Sequence, residues 1–164
     1  MALALPALAQ GRGTLNCKIQ ENGESASGTI SLLEGETEVA RGTCGRPLSV
    51  PAGNYTAVLA LDGALDGPEQ RKPVTVAAGK GGEVSADFAT GILEVKIQRK
   101  GRRAAGMAII RRDGKQIGTL GSGVAAHLSE GTYEVVARYR KQEKRFEAVR
   151  VTRGERVSLD AAFE

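Results

Sequence analysis

Gly13-Thr14-Leu15-Asn16-Cys17-Lys18-Ile19-Gln20 decides how this chain folds, because Gly91-Ile92-Leu93-Glu94-Val95-Lys96-Ile97-Gln98 repeats it. Leu15, Cys17 and Ile19 alternate with Asn16, Lys18 and Gln20, and Leu93, Val95 and Ile97 alternate with Glu94, Lys96 and Gln98. A period of two sends successive side chains to opposite faces of a strand, one dry and one wet. Working outward at the same offset, Gly23 meets Gly101, Gly28 meets Gly106, Gly53-Asn54-Tyr55 meets Gly131-Thr132-Tyr133, and Val58 meets Val136. Beyond the loop Asp62-Gly63-Ala64-Leu65-Asp66-Gly67 the offset shortens by about three residues. Val74 and Val76 then match Val149 and Val151, Gly79 matches Gly154, and Phe88 matches Phe163.

The 164 residues therefore divide into a leader, 1–12, and two tandem repeats, 13–88 and 89–164. Within the first repeat the alternation and the Gly-containing breaks predict strands near 14–20, 28–33, 37–41, 47–50, 54–61, 71–77 and 83–88, with partners in the second. Short strands at this spacing, apolar on one face and polar on the other, indicate an all-β chain. The expected architecture is two tandem antiparallel immunoglobulin-like β-sandwiches of about seven strands each.

The order strand, Asn-Gly turn, strand, Gly turn, then Val50-Pro51-Ala52-Gly53-Asn54-Tyr55 resembles the carboxypeptidase-regulatory-like and prealbumin-like sandwiches of exported bacterial proteins. The second copy, Leu128-Ser129-Glu130-Gly131-Thr132-Tyr133, lacks the proline of that pattern. The resemblance spans nearly both repeats but rests on fold-forming residues, and it implies an interaction module with no particular activity. Physically, Gly53 and Gly131 are expected to supply a turn with positive φ. Tyr55 and Tyr133 are expected to bury a ring and bond a turn through the hydroxyl, as in a tyrosine corner.

Met1-Ala2-Leu3-Ala4-Leu5-Pro6-Ala7-Leu8-Ala9-Gln10 is apolar, unlike the rest, and Ala7-Leu8-Ala9 reads as an A-x-A cleavage signal. The expectation is an exported protein, periplasmic or at the cell surface. In that compartment a disulfide between Cys17 and Cys44 would support a small core. Closing that loop is worth on the order of 3 kcal/mol. The alternative is a buried thiol at Cys17 and an exposed one at Cys44.

One His, two Cys and no Trp leave little catalytic chemistry to assemble. No nucleophile–base, paired-carboxylate or phosphate-loop motif is present in the sequence, so no catalytic residue, cofactor or metal site is expected. His127 is expected to face solvent on a strand, and Asp62 and Asp66 to sit in an exposed turn, since their spacing does not match a calcium loop. No apolar run is long enough for a transmembrane helix.

The net charge of +4 conceals a division. Residues 13–88 hold six Lys and Arg against ten Asp and Glu; residues 89–164 hold sixteen against nine. The basic residues fall in three groups at turns: Arg99, Lys100, Arg102 and Arg103; Arg111, Arg112 and Lys115; Arg138, Arg140, Lys141, Lys144 and Arg145. If the first two groups share an edge, they would suit an anionic polymer of the envelope or an acidic protein face. The plainer alternative is solvated charge that guards edge strands. With aromatics at 4%, base-stacking platforms are scarce, and specific nucleic-acid recognition is not expected. These features predict a non-catalytic structural or interaction protein for assembly or adhesion. One mechanism is self-association, with the acidic first domain of one subunit on the basic second domain of the next.

Overall fold

The computed structural model describes residues 11–164, so the leader reading at Met1–Gln10 lies outside the described residues. The first copy runs β1 (Arg12–Glu21), β2 (Glu24–Ala26), β3 (Gly28–Glu34), β4 (Thr37–Thr43), β5 (Leu48–Pro51), β6 (Gly53–Leu61), β7 (Glu69–Val76) and β8 (Gly81–Phe88). The second runs β9 (Thr90–Arg99), β10 (Arg102–Arg103), β11 (Met107–Arg112), β12 (Lys115–Gly121), β13 (Ala125–Ser129), β14 (Gly131–Tyr139), β15 (Gln142–Val151) and β16 (Arg156–Phe163). Each copy is a sandwich of two four-stranded sheets. One sheet has the order β4-β3-β6-β7, repeated as β12-β11-β14-β15. In the other, β1 pairs with β2, β5 and β8, and β9 pairs with β10, β13 and β16.

The architecture is the expected all-β pair of immunoglobulin-like sandwiches, with two refinements. An eighth strand in each copy, β2 or β10, is a two- or three-residue hairpin return too short to show alternation. The pairing of β16 with β9 is parallel, from Arg156 opposite Ile92 to Phe163 opposite Arg99.

Equivalent positions fill the two cores. Leu15, Cys17, Ile19, Leu32, Val50, Ala57, Val76, Ala86 and Phe88 are buried in the first, and Leu93, Val95, Ile97, Ile110, Leu128, Val135, Val151, Ala161 and Phe163 in the second. The tyrosines behave as expected. The Tyr55 hydroxyl donates to the Pro51 carbonyl at 2.6 Å and the Tyr133 hydroxyl to the Ser129 carbonyl at 2.5 Å, four residues upstream in both copies. The glycines before them do not behave as expected. Gly53 is not among the positive-φ residues and Gly131, at φ 159°, is close to extended. Other repeated glycines mark close approach: a Cβ on Gly28 would lie 2.3 Å from the Ala60 carbonyl oxygen, and one on Gly106 would lie 2.6 Å from that of Arg138.

Cys17 and Cys44 form the disulfide, 27 residues apart, with Cα atoms separated by 4.6 Å. The second copy closes the same corner without sulfur. There the Ile97 amide donates to the Ser122 hydroxyl at 2.9 Å, and that hydroxyl donates to the Ile97 carbonyl at 3.3 Å. The surrounding backbone bonds are the same in both. Cys44 and Ser122 donate to Gly28 and Gly106, and Gly45 and Gly123 donate to Cys17 and Val95.

The chain forms two compact units whose boundary is not a single cut. One runs to Asp62 and takes in Glu69–Asp87; the other comprises Gly63–Pro68 and Phe88–Glu164. The segment Gly63–Pro68, read from sequence as an exposed turn, is thus part of the second unit. The Leu65 amide donates to the His127 carbonyl at 2.8 Å, Ala64 bridges His127, and the Asp66 carboxylate accepts the Ser129 amide at 3.1 Å. Leu65 lies over Gly118, where a Cβ would come within 2.6 Å of its side chain. A backbone that can bond a neighbouring strand and half-bury a leucine is drawn partly out of solvent, whatever its composition suggests.

Candidate binding surface

In the second unit, β9 and β10 are joined by a tight turn, with Lys100 at φ 48° and Gly101 at φ 74°. That left-handed pair matches the right-handed twist of a two-residue hairpin. The register sets Arg102 directly opposite Arg99 and Arg103 opposite Gln98. Like charges facing each other across strands destabilise a sheet, so folding alone does not account for this pair. Arg140, in the left-handed region at φ 53°, follows β14 and joins them. Arg99, Lys100, Arg102, Arg103, Tyr139 and Arg140 line an open groove of about 820 Å³.

The groove has an aromatic floor and unspent donors. The Tyr139 ring lies 5.8 Å from that of Phe163, and the Arg140 guanidinium sits 5.4 Å from the Tyr139 ring centre. Arg103 spends one Nη2 donor on the Ser122 carbonyl at 2.8 Å. The Nε of Arg99 is buried with no hydrogen-bond partner. Among the described residues no carboxylate lies within ion-pair distance of Arg99, Lys100, Arg102 or Arg140, while Arg103 acts at longer range on Glu94. A buried guanidinium N–H without an acceptor is costly, and an incoming carboxylate or phosphoryl oxygen would remove that cost.

The other basic groups are placed differently. Arg111 lies opposite Glu134, at the far end of β11 from Met107, which lies opposite Arg138. The first group, on the other sheet, shares its groove with Arg140 near the Arg138 end, so the first and second groups occupy opposite ends of the sandwich and share no edge. The second is also largely committed. Arg111 and Arg145 both reach Glu134, at 3.6 and 3.5 Å, and the Arg112 guanidinium lies 5.3 Å from the Tyr133 ring centre. Burial pushes the Tyr133 hydroxyl above its ordinary pKa, with the Asp66 carboxylate adding to the shift and Arg112 opposing it. In the third group Arg138 pairs with Glu143 at 2.6 Å, which leaves Arg140 in the groove and Lys141 and Lys144 exposed.

One relation between the copies escaped the sequence reading. Glu21-Asn22-Gly23-Glu24-Ser25 occupies the positions of Arg99-Lys100-Gly101-Arg102-Arg103. The turn is the same, with Asn22 at φ 54° and Gly23 at φ 86°, and Glu24 lies opposite Glu21. Asp62 follows β6 as Arg140 follows β14. The Asp87 carboxylate accepts the Gly23 amide at 3.0 Å and adds a further negative charge. One corner of the sandwich is thus acidic in the first copy and basic in the second. The signal was available: the alignment of Gly23 with Gly101 only had to be read through its neighbours.

Among the described residues no group of three or more His, Cys, Asp or Glu is placed to hold a metal ion. His127 is exposed on β13, and the Asp66 carboxylate is spent on a backbone amide. No helix among them is long and apolar enough to cross a membrane.

No protein-family model matches the chain, and no curated protein matches it. Solved structures similar to it include the Bacillus anthracis TIE protein, at 13% identity and a TM-score of 0.42, covering 94% of this chain and 34% of that one. GBS52, the minor pilin of Streptococcus agalactiae, aligns at 10% identity and a TM-score of 0.44, covering 93% of this chain and 94% of its own. The pilus adhesin SpaC from Lactobacillus rhamnosus GG aligns at 10% identity and a TM-score of 0.33, covering 92% and 30%. The chain spans about a third of the TIE protein and less of SpaC. These likenesses extend to strand architecture alone.

Proposed function

We propose that this chain is a non-catalytic, exported interaction protein that assembles through contacts between its acidic first copy and its basic second copy. The observation that carries this is the contrast between what the copies share and where they differ. Shared side chains are spent on the fold: the tyrosine hydroxyls hold turns and Gly28 and Gly106 admit close backbone. What differs is the sign of the charge at equivalent corners. The disulfide and the apolar leader support an oxidising compartment, periplasmic or extracellular. The minor pilin and the pilus adhesin among the structural neighbours stand beside this reading without carrying it.

Light scattering on the oxidised protein at low and high salt tests it. Species that grow with concentration and shrink as salt shortens the screening length are expected. A monomer in both conditions refutes self-assembly. A second reading, a binding module for an anionic envelope polymer or an acidic partner protein, is favoured by the buried, unpartnered Nε of Arg99. Under it the same groove takes a foreign anion and the protein alone stays monomeric.

A further inference from the structure

We infer that the partner of the basic groove is the equivalent corner of a second copy of this chain, with the β1–β2 hairpin and Asp62 of one molecule meeting the β9–β10 hairpin and Arg140 of the next. The inference rests on the assembly reading and names its two surfaces. Both corners have one backbone geometry: a two-residue hairpin turn with left-handed residues at its centre, flanked by the residue that leaves the neighbouring sheet. Charges of opposite sign stand at three equivalent positions: Glu21 and Arg99, Glu24 and Arg102, Asp62 and Arg140.

Arg99 faces Arg102 across one hairpin, as Glu21 faces Glu24 across the other. Docking an acidic corner on a basic one relieves the crowding of positive charge and offers carboxylate oxygens to the exposed guanidinium groups of Arg102 and Arg140. Acidic on acidic, or basic on basic, is rejected by the same charges, so a twofold dimer through either corner is disfavoured. The permitted contact is heterologous. Each molecule gives one acidic and one basic corner, so the contact extends into chains unless its rotation closes a ring.

The β3–β4 and β11–β12 hairpins also reverse sign, with Glu34 at the position of Arg112. They do not qualify, because Arg111 is paired with Glu134 and Arg112 lies over Tyr133.

The test uses two variants of the full oxidised chain. Glu24→Arg with Asp62→Arg removes the acidic corner, and Arg102→Glu with Arg140→Glu removes the basic one. All four positions are exposed, so circular dichroism and a thermal melt matching the parent establish that folding is intact. In sedimentation at low salt the parent should grow with concentration and return to monomer near ~1 M salt, where screening acts within about 3 Å. Each variant alone should stay monomeric. Mixed in equal amounts, they should associate again, because each supplies corners of the sign the other lacks. If either variant alone still grows while the parent responds to salt, the corners are wrong and the assembly reading stands. Variants that remain monomeric when mixed refute the pairing of these two corners. A parent that is monomeric throughout overturns both.

Discussion

Replacing Cys17 by Val and Cys44 by Ser gives the first copy the residues that the second uses at Val95 and Ser122. The 27-residue loop makes the cross-link worth about 3.5 kcal/mol in the chain-entropy account. The substituted corner regains part of that. Val fills the buried site of Cys17, and the new hydroxyl can bond the Ile19 backbone as Ser122 bonds Ile97, for about 1 kcal/mol. The expected net loss is therefore about 2.5 kcal/mol, confined to the first unit. Native-state amide hydrogen exchange reads it residue by residue. Opening free energies at Leu32, Ala57 and Leu59 should fall by that amount, while those at Val95, Ile110 and Val135 stay within a few tenths. The paired change Cys17→Ser with Cys44→Ser should cost more, because it buries a hydroxyl without a guaranteed acceptor. A loss below about 1 kcal/mol for the Val–Ser pair would refute the unfolded-state account of the disulfide.

Four further outcomes follow from the same geometry. Gly106→Ala drives a Cβ to 2.6 Å from the Arg138 carbonyl oxygen and should cost about 1–3 kcal/mol in urea denaturation, whereas Gly121→Ala, with its nearest neighbour at 3.5 Å, should be close to neutral. Tyr133 is pushed above its ordinary pKa by burial, so its folded form keeps a proton that the unfolded chain releases. Its contribution is whole below about pH 10 and is lost as pH rises from there through the folded value. Tyr133→Phe should flatten that alkaline loss and cost about 1 kcal/mol at neutral pH through the missing bond to Ser129. Arg156, 2.8 Å from Glu94, holds that carboxyl below its usual range, so its stabilisation is present above the ordinary carboxylate pKa and lost as pH falls through the lowered one. Arg156→Ala should return the NMR titration of Glu94 toward normal. Ala148 sits at φ 52° beside the bulge in β15, where glycine is at ease, so Ala148→Gly should stabilise by about 0.5–1 kcal/mol in thermal unfolding.

What the sequence made legible was local and periodic. Alternation at Leu15, Cys17 and Ile19 located β1 to within two residues of each end, and the six longer strands that follow appeared similarly, because a half-buried strand must write its wet and dry faces into the chain. Tyr55 and Tyr133 were legible because the corner they hold needs a ring and a hydroxyl at one fixed spacing. The shortfall lay in features that depend on pairing distant residues. Whether Arg99 and Arg111 share an edge depends on how the sheet of β9 stacks on the sheet of β11, and no local pattern encodes that. Leu65 and Asp66 read as loop because their partners, Gly118, His127 and Ser129, lie some fifty residues or more downstream. The charge exchange at Glu24 and Arg102 is local, but it changes neither the alternation nor the glycine spacing, so the periodic signal does not register it.

The Gly63–Pro68 segment determines where this chain can be cut. A cut before Ala89, at the visible seam between repeats, would deprive the downstream fragment of the leucine that covers Gly118 and of the carboxylate that caps the Ser129 amide. Such a fragment would expose an apolar hollow and the outer rim of β13, a prescription for sticky, poorly behaved material. A faithful excision of the second sandwich would have to carry residues 63–68 along, spliced ahead of Phe88 or supplied as a peptide. The duplication is plain in the letters, yet its two halves are not separable parcels of sequence.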